Sequence, residues 1–341
     1  MPQTTIQKTP AIAAFFQRCL NNLANEHKND FIDLYITKES EFSIQQKMAK
    51  AGFQEFNKEN WPSLFISTKA FINSPYHKNI HLDKINNAHF SLTHETIKAN
   101  YLFNTDAIQP DANRELNDWM ILRALDEDYQ ALLLYQDDQA WMIDAPSESN
   151  TIDPLASKAF GKVLTFGLGI GYFVYMACLN VNVTSIAVVE RSTEVINMFN
   201  SDILPQIPNK HKINIIKEDA FNLFNEDYLD QFDYVFVDIW QSNHDGLKII
   251  ERLLMQYNPP VNKIDFWIEF SCLEVLPALI FMYFYKQLNK KYSHPLMYEY
   301  SSLFTKITKY FKTIDENIND VNVLKNYMYD IAVLRAVLAN K

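Results

Sequence analysis

Five short apolar runs, each followed by a stretch with helical periodicity, constrain the fold of this 341-residue chain more than any other feature. The runs lie between residues 162 and about 290 and read KVLTFG, SIAVVE, KINIIK, FDYVFVDIW and KIDFWIEF. Apolar runs without polar interruption are typical of parallel strands that are buried on both faces. The alternation therefore predicts an α/β fold with a Rossmann-like doubly wound sheet.

The flanking sequence divides the rest of the chain. Residues 1–128 are polar but carry apolar positions at helical spacing, which predicts a helical N-terminal region. Residues 129–150 hold two strand-like runs on either side of Asp137-Asp138, which indicates a β-hairpin and a following loop. The α/β domain is expected over 151–295, and residues 296–341 form a predicted helical C-terminal extension.

Composition excludes several classes of partner. The formal net charge of −10 repels a phosphate backbone, so no nucleic-acid substrate is expected. The most apolar stretch, residues 276–285, is too short to span a bilayer, and no membrane partner is expected. The three cysteines show no CxxC spacing and the N-terminus lacks a signal-peptide pattern, so the sequence predicts a cytoplasmic protein. The expected partner is a small molecule, and a homodimer is left open.

A glycine cluster follows the first run of the alternating region. The segment TFGLGIGYF contains three of the six glycines in the chain, Gly167, Gly169 and Gly171. It lies where a strand ends and a helix begins, so backbone N–H groups and the positive end of the helix dipole meet a ligand there. A ligand can approach glycine closely because no Cβ collides with it. The cluster predicts a binding site, and a tight packing turn without a ligand is the alternative.

Acidic residues end the next three strands. Glu190 follows Gly167 by 23 residues, near the spacing at which an acid binds ribose hydroxyls, and Asp219-Ala220 and Asp238 follow the third and fourth strands. The carboxyl ends of parallel strands meet at one edge of the sheet, where ligands bind. Glu190 as a surface acid or helix cap, Asp219 as a helix N-cap and Asp238 as a structural acid remain alternatives.

Two common nucleotide sites do not fit the cluster. A dinucleotide fingerprint requires glycine or alanine at the sixth position of GxGxxG, and that position is Tyr172. A P-loop requires Lys-Ser or Lys-Thr after the glycines, and neither follows them.

At these residues the chain resembles the class I S-adenosylmethionine (AdoMet)-dependent transferases, and within them the spermidine synthase-like branch. The similar segments lie within residues 130–290 and are VLTFGLGIG, AVVERSTEVI, IIKEDAFNLF and FDYVFVDIW. The resemblance implies the class I AdoMet-dependent methyltransferase fold and AdoMet, or decarboxylated AdoMet, as cofactor. It assigns cofactor binding to Gly167, Gly169, Gly171, Glu190, Asp219 and Ala220.

The same resemblance implies an acceptor site. Asp238 is similar to the reaction-side acid of the family and is the expected catalytic residue. Trp240, Gln241 and His244 follow it on a loop where substrate meets cofactor, although they are equally well read as ordinary loop residues. The hairpin LLLYQDDQAWMID, which contains Gln139, and the following Ser147-Glu148 are similar to the hairpin through which aminopropyltransferases admit substrate. Gln139 and Glu148 are therefore expected to contact the acceptor.

At one position the chain differs from the spermidine synthase-like branch, and this difference affects which group is expected to be transferred. Aminopropyltransferases carry a second acid three residues after the reaction-side Asp, where this chain has Gln241, although Asp245 or Glu148 could replace it in space. The sequence therefore predicts methyl transfer to a small-molecule acceptor near Asp238. Aminopropyl or aminocarboxypropyl transfer is the alternative, and a non-catalytic nucleoside-binding assembly protein is the alternative from another class.

No metal site is predicted. His77 and His81 lie four residues apart, at a spacing that suits two ligands on one helix face, but no third ligand of suitable spacing accompanies them.

Overall fold

The computed structural model describes residues 4–24, 30–53, 61–85, 89–109, 111–117 and 120–340. Its strands are β1 (Thr5–Ile6), β2 (Phe65–Ile66), β3 (Phe90–Ile97), β4 (Phe103–Asn104), β5 (Leu122–Leu125), β6 (Tyr129–Gln136), β7 (Gln139–Ile143), β8 (Gly161–Phe166), β9 (Val183–Glu190), β10 (Ile213–Lys217), β11 (Tyr234–Val237), β12 (Ile264–Phe266) and β13 (Asn317–Ile318).

The helices are α1 (Pro10–Leu23), α2 (Glu41–Lys50), α3 (Thr68–Ile72), α4 (Pro75–Asn79), α5 (Pro146–Lys158), α6 (Tyr172–Leu179), α7 (Thr193–Met198), α8 (Ala220–Leu223), α9 (Glu226–Leu229), α10 (Asn243–Gln256), α11 (Glu269–Cys272), α12 (Val275–Leu288), α13 (Pro295–Glu299), α14 (Ser301–Lys312), α15 (Val321–Tyr329) and α16 (Ile331–Ala339). None of them is both long and apolar enough to cross a membrane within the described residues.

The predicted doubly wound sheet is confirmed. Five strands lie in the order β10-β9-β8-β11-β12, and all of their pairings are parallel. Numbered along the sheet-forming part of the chain, this order is 3-2-1-4-5, which is the order of a Rossmann-like sheet. The chain reverses direction across the sheet at β8, so the crevice outside the carboxyl ends of β8 and β11 is the expected ligand position.

Apolar side chains cover both faces of this sheet. Strand β11 shows the alternation, because Val235 and Val237 belong to one apolar cluster while Tyr234 and Phe236 belong to another. The first cluster includes residues of α1, α10, α12, α14, α15 and α16, and the second includes residues of α5, α6 and α7. Burial on both faces explains the uninterrupted apolar runs in the sequence.

The predicted hairpin is formed by β6 and β7. Its two-residue turn, Asp137-Asp138, has φ angles of 48° and 63°, as a type I′ turn requires. Strand β3 pairs antiparallel with β6 and makes a three-stranded sheet in the order β3-β6-β7. The hairpin therefore belongs to a small second sheet.

The N-terminal region is not purely helical. It contains β3 and also a sheet in the order β2-β5-β4, beside a third apolar cluster that includes Ile36, Met48 and Leu122. Strands β2, β4 and β5 are two to four residues long, too short to show an alternating pattern. Strand β3 exposes polar residues on both faces, so it also lacks the alternation of a half-buried strand.

The two ends of the described chain meet. Strand β1 pairs in parallel with β13, and the Thr4 hydroxyl donates a hydrogen bond to the carbonyl oxygen of Phe311 over 2.9 Å. The C-terminal residues form α13 to α16, with β13 between α14 and α15. Both extensions pack on the same face of the central sheet, because α1 and the C-terminal helices share one apolar cluster.

Candidate active site

Two of the three clustered glycines are required by contacts within the protein. Gly167 and Gly171 have φ angles of 95° and 73°, in the left-handed region that favours glycine. A Cβ at Gly167 would overlap the carbonyl oxygen of Asp238, and a Cβ at Gly171 would overlap the ring of Phe199. Other parts of the chain, and not a ligand, therefore occupy the space next to Gly167 and Gly171.

Gly169 lies at the open part of the turn. A Cβ there would meet only the end of the Met142 side chain, with its sulfur at 3.2 Å. Among the described residues, the N–H groups of Gly169 and Ile170 have no hydrogen-bond acceptor. These two amides are available to an anionic or carbonyl group of a ligand.

Glu190 ties the glycine turn to the end of β9. Its Oε2 accepts a hydrogen bond from the Leu168 N–H over 3.2 Å, and its Oε1 accepts one from the Ser192 N–H over 2.7 Å. The side chain is partly exposed. The predicted ribose-binding acid is therefore placed beside the glycine turn, held by backbone donors from two loops.

Asp219 caps a helix. Its Oδ1 accepts a hydrogen bond from the Phe221 N–H over 2.9 Å at the start of α8. This is the alternative that the sequence left open for an aspartate at this position. Ala220 is buried as the first residue of α8. Both residues follow β10, next to the strand that ends in Glu190.

Asp238 lies directly beside the glycine turn. Its N–H donates to the carbonyl oxygen of Phe166 over 2.9 Å, which joins the ends of β11 and β8. In the described part of the chain, no hydrogen-bond donor contacts its carboxylate. Burial raises the pKa of Asp238 well above its usual range, and the charge of Glu148 adds to the increase. An unpartnered carboxyl group thus lies at the predicted ligand crevice.

Glu148 and Asp144 extend this acidic region. Burial, followed by the charge of Asp144, raises the pKa of Glu148 to about 7. Asp144 is buried and accepts a hydrogen bond from the Tyr129 hydroxyl over 2.6 Å and another from His77 Nε2. Ser74 Oγ lies 2.6 Å from the other ring nitrogen of His77. The charge of Asp144 therefore acts on Glu148, and the charge of Glu148 acts on Asp238.

The loop after β11 is arranged differently from the sequence expectation. Gln241 and His244 are exposed at the start of α10. Asp245 accepts hydrogen bonds from the N–H groups of Gln241 and Ser242 over 3.0 and 2.9 Å, so it caps α10 and does not replace the missing acid. Trp240 is only 6% exposed and packs near Phe266 in the apolar core.

Gln139 lies at the far end of the hairpin. It is exposed and pairs with Gln136 next to the turn, whereas Met142, three residues along β7, contacts Gly169. The hairpin therefore approaches the glycine turn through Met142. Nothing among the described contacts brings Gln139 to the carboxyl groups.

Several site residues were not predicted. Asp144, His77 and Tyr129 form one hydrogen-bonded group, and the indole N–H of Trp267 donates to Thr151 Oγ1 over 3.0 Å on the helix that carries Glu148. A signal existed for Trp267, because it lies in the fifth apolar run, directly after the residues that form β12. His81 does not join His77, and no cluster of three or more metal-ligating side chains is found within the described ranges.

Comparison with known proteins finds two solved methyltransferase structures of low similarity. No protein-family model matches the sequence, and no curated protein matches it. The methyltransferase domain of bacterial CtHen1-CN is 17% identical, with a TM-score of 0.24 over 32% of this chain and 56% of that one. The O-methyltransferase from Bacillus cereus, in complex with SAH, is 14% identical, with a TM-score of 0.27 over 48% of this chain and 69% of that one. The fold assignment rests on the strand order.

Proposed function

We propose that this chain is an AdoMet-dependent transferase that moves a methyl group to a small-molecule acceptor held near Asp238. One observation carries the proposal. The amides of Gly169 and Ile170, which have no acceptor, lie in the turn after β8, and the unpartnered carboxyl group of Asp238 follows the neighbouring strand β11, at the point where the strand order reverses. Donors for a cofactor and an acid for an acceptor thus lie at adjacent strand ends, where doubly wound sheets bind ligands.

The described residues suit the cofactor. The free amides of Gly169 and Ile170 match the carboxylate of its methionine part, and they lie beside the N-terminus of α6. Glu190 is partly exposed next to this turn, in position for ribose hydroxyls, and Asp219 and Ala220 follow the neighbouring strand in position for the adenine. When bound, AdoMet supplies a sulfonium that is already activated for transfer, so the chain needs to supply placement and a base.

Asp238 and Glu148 are the two acids that would act on the acceptor. Asp238 would orient the acceptor through its free carboxyl group. Glu148, with a pKa of about 7, is suited to remove a proton near neutral pH. The carboxyl groups also make this side of the crevice attractive to a cation above pH 7.

A second reaction is favoured by one specific observation. The charge of Glu148 contributes to the raised pKa of Asp238, so a second carboxyl group lies near the reaction-side acid although Gln241 replaces the usual one. Such a pair suits a cationic amine, as in aminopropyl transfer from decarboxylated AdoMet. We keep this reaction as the alternative, and a non-catalytic nucleoside-binding protein as the alternative from another class.

Thermal shift measurements with three ligands test the proposal. A ligand at a hundredfold excess over its Kd stabilises the fold by about 2.7 kcal/mol, which moves the melting curve visibly. AdoMet and S-adenosylhomocysteine are expected to raise the Tm more than decarboxylated AdoMet, because only the first two carry the carboxylate for the Gly169 and Ile170 amides. The reverse order supports aminopropyl transfer, and no shift with any ligand would refute the cofactor assignment.

A pair of variants separates catalysis from binding. Asp238→Asn is expected to retain the shift with S-adenosylhomocysteine and to lose turnover, because the substituted group belongs to the acceptor side. Asp245→Asn is the matched control, since Asp245 caps α10 from the same loop. If the wild type binds S-adenosylhomocysteine but transfers no group to any amine, hydroxyl or thiol acceptor, the non-catalytic alternative holds.

A further inference from the structure

The turn after β12 contains a residue in an unfavourable conformation. Ile268 has φ 44° and ψ 37°, in the left-handed region. A β-branched residue rarely occupies this region because its side chain collides with its own backbone. Such strain persists only where surrounding contacts fix the conformation, and it is concentrated at functional sites.

A buried ion pair fixes the residue that follows. Glu269 accepts hydrogen bonds from Nε and Nη2 of Arg335, over 2.7 Å each. Arg335 lies on the last helix, α16, and is 1% exposed, and its Nη2 also donates to the carbonyl oxygen of Ile264 over 3.2 Å. Buried pairs gain little net stability because both charges lose their hydration. We therefore interpret the Arg335–Glu269 pair as a contact that fixes the position of the two residues, and not as a source of stability.

The residue that precedes Ile268 reaches the acceptor side. The N–H of Trp267 donates to the carbonyl oxygen of Val237 over 2.9 Å, immediately before Asp238. Its indole N–H donates to Thr151 Oγ1, and this hydroxyl lies 3.0 Å from the carbonyl oxygens of both Ser147 and Glu148, to which it can donate. Trp267 is thus joined through its backbone to the strand that leads to Asp238, and through its ring to the helix that carries Glu148.

We propose that the Arg335–Glu269 pair is a positioning device that holds Ile268 in its left-handed conformation and Trp267 against Thr151. The Trp267 ring then forms the wall of the acceptor site between Asp238 and Glu148, and it limits which acceptors fit. The wall function rests on the proposed transferase activity, whereas the positioning of the ring does not. Trp267 also contacts the apolar clusters on both faces of the sheet, so its position depends on the whole sheet edge.

Indole N–H signals in a ¹H–¹⁵N NMR spectrum test the positioning. Trp267→Phe identifies the Trp267 signal by its loss. Arg335→Lys and Glu269→Gln are expected to shift or broaden that signal by more than its linewidth, because neither variant keeps the two-pronged charged contact. Arg18→Lys is the matched control, since Arg18 makes the same contact with Glu115 at an exposed position. An unchanged Trp267 signal in folded Arg335→Lys and Glu269→Gln would overturn the proposal.

Two further variants guard against loss of the fold. Thr151→Val removes the acceptor of the indole N–H and is expected to move the Trp267 signal even if the Arg335 variants do not fold. Ile268→Gly combined with Glu269→Gln is expected to restore the signal toward its wild-type position, because glycine takes the left-handed conformation without support. Failure of both effects in folded proteins would refute the positioning role.

Addition of butylamine, a cation with an apolar tail, at pH 8 tests whether the Trp267 ring forms the wall of the acceptor site. Saturable movement of the Trp267 signal, reduced at least tenfold in apparent affinity by Glu148→Gln, is expected. No movement would overturn the wall. A wild type that binds butylamine at Trp267 but shows no thermal shift with S-adenosylhomocysteine would refute the proposed transferase and leave the positioning intact.

Discussion

Replacement of Glu148 by glutamine is expected to stabilise the protein above pH 7 and to have little effect near pH 4.5. Burial and the charge of Asp144 raise the pKa of Glu148 from 4.5 to about 7. Between these values the folded protein keeps a proton that the unfolded chain releases, so the contribution of Glu148 to stability falls as the pH rises. At 1.36 kcal/mol for each pKa unit, the loss is at most about 3 kcal/mol, and glutamine avoids it.

The assay is urea unfolding of the wild type and Glu148→Gln at several pH values between 4.5 and 8. The difference in free energy of unfolding is expected to grow from near zero to about 3 kcal/mol in favour of the variant. The substitution also removes the Glu148 charge that raises the pKa of Asp238, and this stabilises the variant in the same direction. Glu127→Gln, at an exposed side chain, is the control. A difference that is flat with pH, or that grows toward acid, would refute the reasoning.

Three further predictions follow from single contacts. Gly171→Ala should lower the free energy of unfolding in urea by about 1–3 kcal/mol, because the added methyl overlaps Phe199; equal loss in Gly169→Ala, which has the same left-handed backbone (φ 50°) without that overlap, would contradict this. Glu190→Ala should weaken AdoMet and S-adenosylhomocysteine together by calorimetry, roughly 10-fold or more if one charged hydrogen bond is lost; unchanged affinities would exclude Glu190 from the ribose site. Asp245→Ala should cost about 1 kcal/mol of stability in urea as a lost cap and leave S-adenosylhomocysteine affinity unchanged.

The central sheet was predictable because its strands are covered on both sides. Residues Tyr234 to Val237 are all buried, so their sequence has no polar interruption to confuse with a loop. The hairpin turn was also readable from Asp137-Asp138, two residues that tolerate positive φ. Strand β3 was not, because polar residues are exposed on both of its faces, Ser91, Thr93 and Glu95 on one and His94 and Thr96 on the other. Tertiary pairing with β6 decides its conformation.

The site was predictable only where topology alone fixes it. Glu190 ends β9 and Asp238 follows β11, the two strands on either side of β8, so their proximity to the glycine turn after β8 follows from the strand order. His77 and Asp144 lie 67 residues apart in sequence, and no spacing rule connects them. The glycines show a different limit of prediction from sequence. A sequence cannot tell whether Gly167 is glycine because a ligand approaches it or because the carbonyl group of Asp238 does.

The pairing of β1 with β13 has a consequence for folding during synthesis. Phe16 on α1 packs against Phe281 and Tyr285 at ring distances of 5.4 Å, so its partners are made hundreds of residues later. At 5–20 residues per second, the apolar face of α1 waits roughly 15–50 s for them. Closing so long a loop is also slow, because the chain loses conformational entropy before the new contacts stabilise it. The apolar face of α1 is therefore left without these partners until most of the chain has been made.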